Sequence, residues 1–589
     1  MASRSESFHG HSLHPLAVPT LPVPWPAAAR IAGVSSFGVS GTNAHLVLEA
    51  PPARSAGTEA VAAGSGTVQG SLQLLPISAK SDAALAALVR RYAEYLGQTS
   101  ATWADICYTA GTGRSHFPKR LAVVAADKAQ AQAKLAALGA RQPLDTPTGS
   151  AAPGRRPLVA FIFTGGGAQY VNMGRRLYDT QPVFRQVLDR CDATMQAEFG
   201  ESLLAVLYPK SQPASTPDPA QAIDQIAYTQ PTMYALGCAL AEVWKSWGIE
   251  PAVVMGHSLG EYIAAYVAGV FTLEDGFRLI TARGRLMAET ADGAMVAVRA
   301  GQAAVASAIA GAEKAVGIAA VNSPDSVVIS GQRQAVQQIV ARLAGVETRS
   351  VAISVAAHSP LMEPVLDRFE QLAQKVTFHP PRIPIMSNVS GQLLPEGQLL
   401  DASYWRMHTR APVQFMASID ALYGAGYRVM LEVGPHPTLS SLGAACIDAP
   451  AGLEPAWLPS LVKAQDDWQV MLETLGELYT RGLEVNWRGV QSRSVGGEPQ
   501  HRAHPGGCVL PNYPFQRKRF WFQAAEPAPD ATRKEACMES QAAVDSAARL
   551  HKLQQEVCAQ VAKKLYLSQE QVDVDQPFVE MGGDSVQLA

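Results

Sequence analysis

No run of about 18 consecutive apolar residues occurs in this chain, so nothing in it reads as a membrane-spanning helix. The opening residues, MASRSESFHGHSLHPL, lack the apolar core of a secretory signal. Cysteine is sparse and scattered: Cys107, Cys191, Cys238, Cys446, Cys508, Cys537 and Cys558, with no Cys-x-x-Cys pair. That argues against a zinc site or a disulfide framework, and for reduced thiols in a cytoplasm. Only 17% of residues are charged and the formal net charge is −3, which removes any long-range pull toward nucleic acid or anionic membrane. Internal repeats and coiled-coil heptads are missing as well. What the chain does have is apolar side chain, 47% of 589 residues, enough for large cores and a length of about four domains.

The most informative segment is Gly256-His257-Ser258-Leu259-Gly260-Glu261-Tyr262, which contains G-x-S-x-G. This pattern is a nucleophile elbow, a serine on a sharp turn from strand to helix. Pro251 to Met255 reads as a short buried strand, and EYIAAYVAGV after the serine has helical composition. Glycines at both flanks let strand and helix meet closely, with the hydroxyl over a helix N-terminus whose N–H groups stabilise negative charge. The same residues also fit a Gly-flanked turn whose serine only caps a helix.

Three stretches read as linkers: Pro51 to Ser71, Arg488 to Gly507, and Gln523 to about Ala543. Between the first two, Leu72 to Ile77 and Leu121 to Ala125 read as strands. Asp82 to Leu96 reads as a helix with Leu85, Leu88, Val89, Tyr92 and Leu96 on one side. Leu158 to Phe163 is a continuous apolar run, as in a strand buried on both faces, and it ends in the glycine loop Thr164-Gly165-Gly166-Gly167-Ala168-Gln169. A later helix carries Arg283 and Met287. From Ala294 to Ile353 the pattern becomes β-α-β-β-α-β, with helices at Gln302–Ala312 and Arg333–Leu343 and a central turn at Ser323–Asp325. That is a ferredoxin-like unit set into an α/β hydrolase-like body that resumes at His358.

Eight blocks in order, FIFTGGGAQY, Tyr228-Thr229-Gln230-Pro231, GHSLGEY, TARGRLM, VNSPDSVVISG, AAHSPLM, MSNVSG and LEVGPHPTL, resemble the acyltransferase domain of modular polyketide synthases and fatty acid synthases. The likeness covers about Leu72 to Trp521. It implies that Ser258 attacks an acyl-CoA thioester and that His358, in the family's A-x-H-S block, is the general base. Backbone N–H groups of Leu259 and Gly166 are implied to hold the oxyanion. The family normally has glutamine where Gly166 stands; a backbone donor survives that change. Arg283 matches the arginine that pairs bidentately with the free carboxylate of a malonyl group, and Gln230 a pocket glutamine that helps hold the acyl group. Asn322 reads as a hairpin residue, not a catalytic one. Malonyl-type domains usually carry His-Ala-Phe-His, and methylmalonyl-type domains Tyr-Ala-Ser-His, where this chain has Val355-Ala356-Ala357-His358. Ala357 leaves the pocket open, which admits a methyl group without demanding one; malonyl-CoA, as the commonest extender, is the expected donor and methylmalonyl-CoA the alternative.

The ends extend the likeness to a type I polyketide synthase fragment. Ile31 to Glu49 resembles the C-terminus of a ketosynthase, with His45 at the place of one of its active-site histidines, and reads as a strand and a Gly-rich loop. Leu510 to Trp521 resembles the tail that follows an acyltransferase and packs back along the linker domain. Met581-Gly582-Gly583-Asp584-Ser585 resembles a 4′-phosphopantetheine attachment site, with Ser585 carrying the arm. Gly-Gly-Asp-Ser is commoner in peptidyl carriers, which points to a hybrid assembly line.

The expected organisation is a ketosynthase remnant at 1–50, an α+β linker domain at 51–157 and an acyltransferase at 158–487. The small subdomain of the acyltransferase spans about 292–354. A linker at 488–543 and a truncated helical carrier domain at 544–589 follow. Expected partners are the acyl-CoA, a carrier domain in cis or trans, and a ketosynthase and other synthase modules; nucleic acid, membrane and metal are not expected. Rival readings are a serine hydrolase or thioesterase, which usually needs an acid partner for its histidine, and a non-catalytic scaffold segment, which has no use for Ser258, His358 and Arg283 together.

Overall fold

The computed structural model describes residues 30–38, 41–50, 72–140, 157–209, 222–351, 355–491 and 508–518, with short pieces at 494–495, 498–499, 549, 551–556 and 559. The expected linkers at 51–71 and 523–543, most of the one at 488–507, and nearly all of the expected carrier domain lie outside the described residues. The chain divides into two compact units, Met1–Gly64 with Arg519–Ala589, and Ser65–Lys518.

In the first unit, strands β1 (Ile31–Phe37) and β2 (Asn43–Glu49) form an antiparallel hairpin, where the sequence suggested one strand and a loop. The turn closes through the Gly38 N–H on Thr42 O at 2.8 Å, and Gly41 takes φ +84°, a conformation glycine adopts freely. Ile31, Val34, Phe37 and Leu46 are all exposed, so no buried-face alternation marked the second strand in the sequence.

The second unit begins with the linker domain. Strands β3 (Gln73–Ala79) and β4 (Lys119–Ala125) pair antiparallel against helices Asp82–Gln98, Trp103–Thr112 and Lys128–Gly139. The first helix buries Leu85, Leu88, Val89, Tyr92 and Leu96, the stripe its 3.6-residue spacing predicts, and Ser81 caps it by accepting from the Ala84 N–H. The tail at 508–518 runs back along this domain. Leu510 is buried in its core, Arg114 donates to Leu510 O, and the Lys80 N–H donates to the Tyr513 hydroxyl.

The main sheet contains β5 (Val159–Phe163) and β6 (Val253–Gly256). All five residues of β5 are buried; Leu158, expected at its start, is 47% exposed and outside the strand. The inserted subdomain follows as β7 (Gly293–Val298), β8 (Val316–Ser323), β9 (Ser326–Gln332) and β10 (Thr348–Ser350), with helices Gln302–Ile309 and Arg333–Arg342. Its order β10-β7-β9-β8, antiparallel throughout, is that of a ferredoxin-like sheet. Strands β11 (Ile385–Met386), β12 (Val429–Val433) and β13 (Ala456–Pro459) complete the main sheet, parallel throughout in the order β11-β6-β5-β12-β13.

Parallel pairing aligns the carboxyl ends of β11, β6 and β5: Met386 pairs with Met255, and Phe163 with Gly256. Three neighbouring strands therefore release their loops at one edge, which brings Asn388, Ser258 and Gly166 to a common place. Open α/β sheets put their sites at such an edge.

Candidate active site

Strand β6 turns into the helix Gly260–Ala268 through His257, Ser258 and Leu259. Ser258 has φ 52°, the left-handed region that strains a residue with a side chain. The glycines have a steric cause. A Cβ on Gly256 would lie 2.0 Å from the carbonyl carbon of Gly260, and one on Gly260 would lie 2.2 Å from Phe163 O. The turn is held by the His257 N–H on Phe163 O at 3.0 Å and the Gly260 N–H on His257 O at 3.0 Å.

His358 meets this serine from 100 residues away, with Ser258 Oγ 2.7 Å from its Nε2. Its Nδ1 lies 2.8 Å from the backbone oxygen of Ala411. A carbonyl can only accept, so the ring proton sits on Nδ1, and the Nε2 lone pair faces the serine hydroxyl. Both ring nitrogens are thereby engaged, neither of them by a carboxylate. Burial, with the positive Arg283 and the neighbouring His408, holds the His358 pKa well below the ordinary histidine value, which keeps the imidazole neutral and ready to take a proton. His358 itself has φ 55°.

Arg283 is buried, 1% exposed. Its Nη1 donates to Gln230 Oε1 at 2.8 Å, its Nε donates to Thr409 Oγ1 at 3.2 Å, and its guanidinium carbon stands 5.6 Å from the centre of the Tyr262 ring. Among the described residues Nη2 has no hydrogen-bond partner, and no carboxylate forms an ion pair with this arginine. Burial lowers its pKa, yet a guanidinium stays charged at neutral pH. A buried cation with a free donor is costly unless something anionic completes it. Gln230 thus supports Arg283 through its Oε1, and its Nε2 points at Met287 Sδ, 3.3 Å away.

The glycine loop after β5 lies against the elbow: a Cβ on Gly166 would be 3.6 Å from Leu259 Cδ2. Ala357 is buried among Val355, Ala356, Leu361 and other apolar residues. Asn322 lies in the β8–β9 hairpin, as its place in the sequence suggested. It sits at an irregularity of β8, where the register shifts between Val321 and Ser323. A bulge re-aims a side chain. Here Asn322 Oδ1 accepts from His257 Nε2 at 2.9 Å, linking the small subdomain to the elbow.

Sequence reasoning missed the supports behind the pair. Asn388 Oδ1 accepts from the Ser258 N–H at 2.7 Å, and Asn388 Nδ2 donates to Gly256 O at 2.5 Å. The Asn388 N–H donates to Glu261 Oε2 at 2.8 Å. Glu261, fully buried, also accepts from the Tyr404 hydroxyl, and His408 Nε2 stands 3.3 Å from it. The MSNVSG block was the one available signal for Asn388; Tyr404, His408 and Ala411 left none. Ser585 lies outside the described residues. Among those described, no group of three or more His, Cys, Asp or Glu is placed to hold a metal ion, and no helix is long and apolar enough to cross a membrane.

A parallel α/β body with an inserted ferredoxin-like unit and a serine–histidine pair on an elbow at its strand ends defines an acyltransferase domain of the polyketide synthase class. The chain belongs to the acyl transferase domain family, which it matches over residues 160–485. Residues 73–135 match the family described as CurL-like, PKS C-terminal, and residues 555–589 a phosphopantetheine attachment site. The chain is 36% identical over 510 residues to the spectinabilin polyketide synthase system protein NorB of Streptomyces orinoci, covering 85% of this chain and 23% of that protein. It is 34% identical over 528 residues to the PKS-NRPS hybrid synthetase ATPKS of Aspergillus niger, covering 85% of this chain and 27% of that protein. It thus spans roughly a quarter of the length of these relatives. Among solved structures, the acyl transferase domain of ZmaA aligns with a TM-score of 0.64 at 29% identity, over 71% of this chain and 96% of that one. The acyl transferase domain of SpnD, in complex with 2-(pent-4-yn-1-yl)malonyl, aligns with a TM-score of 0.60 at 32% identity, over 70% of this chain and 96% of that one.

Proposed function

We propose that this domain takes a malonyl-type extender unit from CoA onto Ser258 and passes it to the thiol of a carrier's phosphopantetheine arm. The observation that carries this reading is the buried Arg283 with its free Nη2. A malonyl carboxylate would satisfy that donor and neutralise the charge, where an acetyl group would leave both unmet. The substituted malonyl bound to the SpnD domain supports the same class of acyl group.

In the first half-reaction Ser258 Oγ attacks the thioester carbonyl while His358 Nε2 takes its proton. The N–H groups of Leu259 and Gly166 face the developing oxyanion. The proton then passes from His358 to the departing CoA thiolate. In the second half-reaction His358 takes the proton of the acceptor thiol, the thiolate sulfur attacks the acyl-serine carbonyl, and as the new thioester forms Ser258 Oγ departs and takes that proton back from His358. The small side chain of Ala357, next to His358, supports malonyl-CoA as donor with methylmalonyl-CoA as the alternative. Ser585 is the proposed attachment point for the arm within the matched carrier segment. Ketosynthase and further synthase modules are the proposed partners of the longer protein, acting in cis or in trans, and a cytoplasm the proposed compartment. A backbone carbonyl in place of an acid behind His358 favours transfer over the hydrolase alternative. The test is incubation with malonyl-, methylmalonyl- and acetyl-CoA, followed by the intact mass. A malonyl adduct lost in Ser258→Ala is expected; an adduct retained in that variant refutes the nucleophile.

A further inference from the structure

We propose that Asn388 is the positioning residue that holds the serine elbow and the base's support loop in one frame. This rests on the acyl-transfer reading of Ser258 and His358.

The side-chain amide of Asn388 brackets the elbow. Its oxygen accepts from the Ser258 N–H at 2.7 Å, and its nitrogen donates to Gly256 O at 2.5 Å. Donor faces acceptor at both ends, so the amide has one sensible orientation. The backbone of the same residue is used as fully. Its N–H donates to the buried Glu261 at 2.8 Å, and its carbonyl accepts from the Gln414 N–H at 2.8 Å. Gln414 stands three residues beyond Ala411, whose carbonyl orients His358. Between them, Val413 exchanges two bonds with β8, accepting from the Val321 N–H and donating to Ala319 O, each at 2.9 Å.

The consequence follows from geometry. Ser258 sits at φ 52°, a conformation that the chain relaxes from unless neighbouring groups pin it. Asn388 pins the two peptide groups that flank His257, the first through Gly256 O and the second through the Ser258 N–H, and so fixes the backbone entering Ser258, whose Oγ stands against His358 Nε2. It is 1% exposed, and its removal leaves the Ser258 N–H and Gly256 O without their side-chain partner. Its hydrogen bonds go neither to Ser258 Oγ nor to the His358 ring, and those of Arg283 go to Gln230 and Thr409.

The protein as it stands is compared with Asn388→Ala and Asn388→Asp. Two quantities are measured: the titre of serines labelled by a fluorophosphonate at completion, which counts intact sites, and the rate of malonyl-enzyme formation by rapid-quench intact mass over a range of malonyl-CoA concentrations. Misplacing a nucleophile by about 1 Å costs on the order of 100-fold. The expectation is a full titre with the limiting acylation rate down at least about 10-fold in Asn388→Ala and the half-saturating malonyl-CoA concentration within about 3-fold. Asn388→Asp keeps the acceptor for Ser258 and loses the donor to Gly256. A protonated carboxyl regains that donor, so its rate relative to the wild type should rise as pH falls from 8 to about 5.5, while Asn388→Ala shows no such recovery. An Asn388→Ala rate within 2-fold of the wild type, or a loss matched by an equal fall in titre, overturns the proposal. A wild type that is never acylated overturns instead the acyl-transfer reading on which it rests.

Discussion

His358 presents Nδ1 to the backbone oxygen of Ala411 at 2.8 Å, where a triad would present it to a carboxylate. An aspartate behind a histidine would stabilise the imidazolium and raise its pKa; a neutral carbonyl does so far less. Burial first, then Arg283 and His408, push the pKa of His358 the other way, well below the usual value of about 6.5. The base form is therefore present above this depressed pKa and lost only as pH falls through it. The acid limb of kcat/KM for malonyl transfer should lie clearly below pH 6.5, and Arg283→Ala, by removing one depressing charge, should move it upward. A limb at or above 6.5 in the wild type, followed by stopped-flow CoA release across pH, would contradict the assignment of His358 as base.

Arg283 also sets a selectivity test. Arg283→Ala should slow malonyl transfer and raise acetyl transfer relative to it. A charged hydrogen bond in a closed pocket is worth about 1.5–3 kcal/mol, or roughly 10–150-fold in the ratio. Competition between the two CoA esters, read by intact mass, measures it; an unchanged ratio means the guanidinium does not meet the acyl group.

The two kinds of glycine at this site should respond differently to substitution. A Cβ at Gly166 meets only Leu259 Cδ2 at 3.6 Å and Thr229 Cγ2 at 3.9 Å, both ordinary contacts, so Gly166→Gln should leave Tm within about 2 °C. At Gly260 the Cβ would sit 2.2 Å from Phe163 O, a backbone atom that cannot step aside. Gly260→Ala should cost about 1–3 kcal/mol or more and lower Tm by roughly 5 °C. Differential scanning calorimetry of both variants decides it, and equal Tm values would mean the elbow relaxes freely.

Ala357 bears on the choice of extender. It is buried beside Ala356, immediately before His358, and a phenyl ring there would take up whatever room a 2-methyl group uses. Ala357→Phe should depress methylmalonyl transfer against malonyl by roughly 10-fold, since one methyl in an apolar pocket is worth about 1–3 kcal/mol. A ratio of two substrates on one enzyme sample does not depend on how much of that sample is folded. A ratio that stays put would remove Ala357 from the acyl pocket.

The elbow could be read from the sequence because its constraint is local. Gly256 and Gly260 are forced by contacts within a few residues or with the adjacent strand, and that need is written as glycine. Periodicity likewise revealed the helix at Asp82–Gln98, the buried β5 and the β-α-β-β-α-β insert, since a repeating buried face is a sequence property. The hairpin's second strand was illegible because neither face is buried. Ser258, His358 and Arg283 could be named from their blocks, but not their distances. Only the parallel register of β11, β6 and β5 decided that Asn388, 130 residues after Ser258, would lie beside it. Only the packing of the loop after Arg410 decided that the base would lean on a carbonyl. Every residue carries the same carbonyl, so residue type cannot signal one in use; the fold alone selects which carbonyl meets the ring.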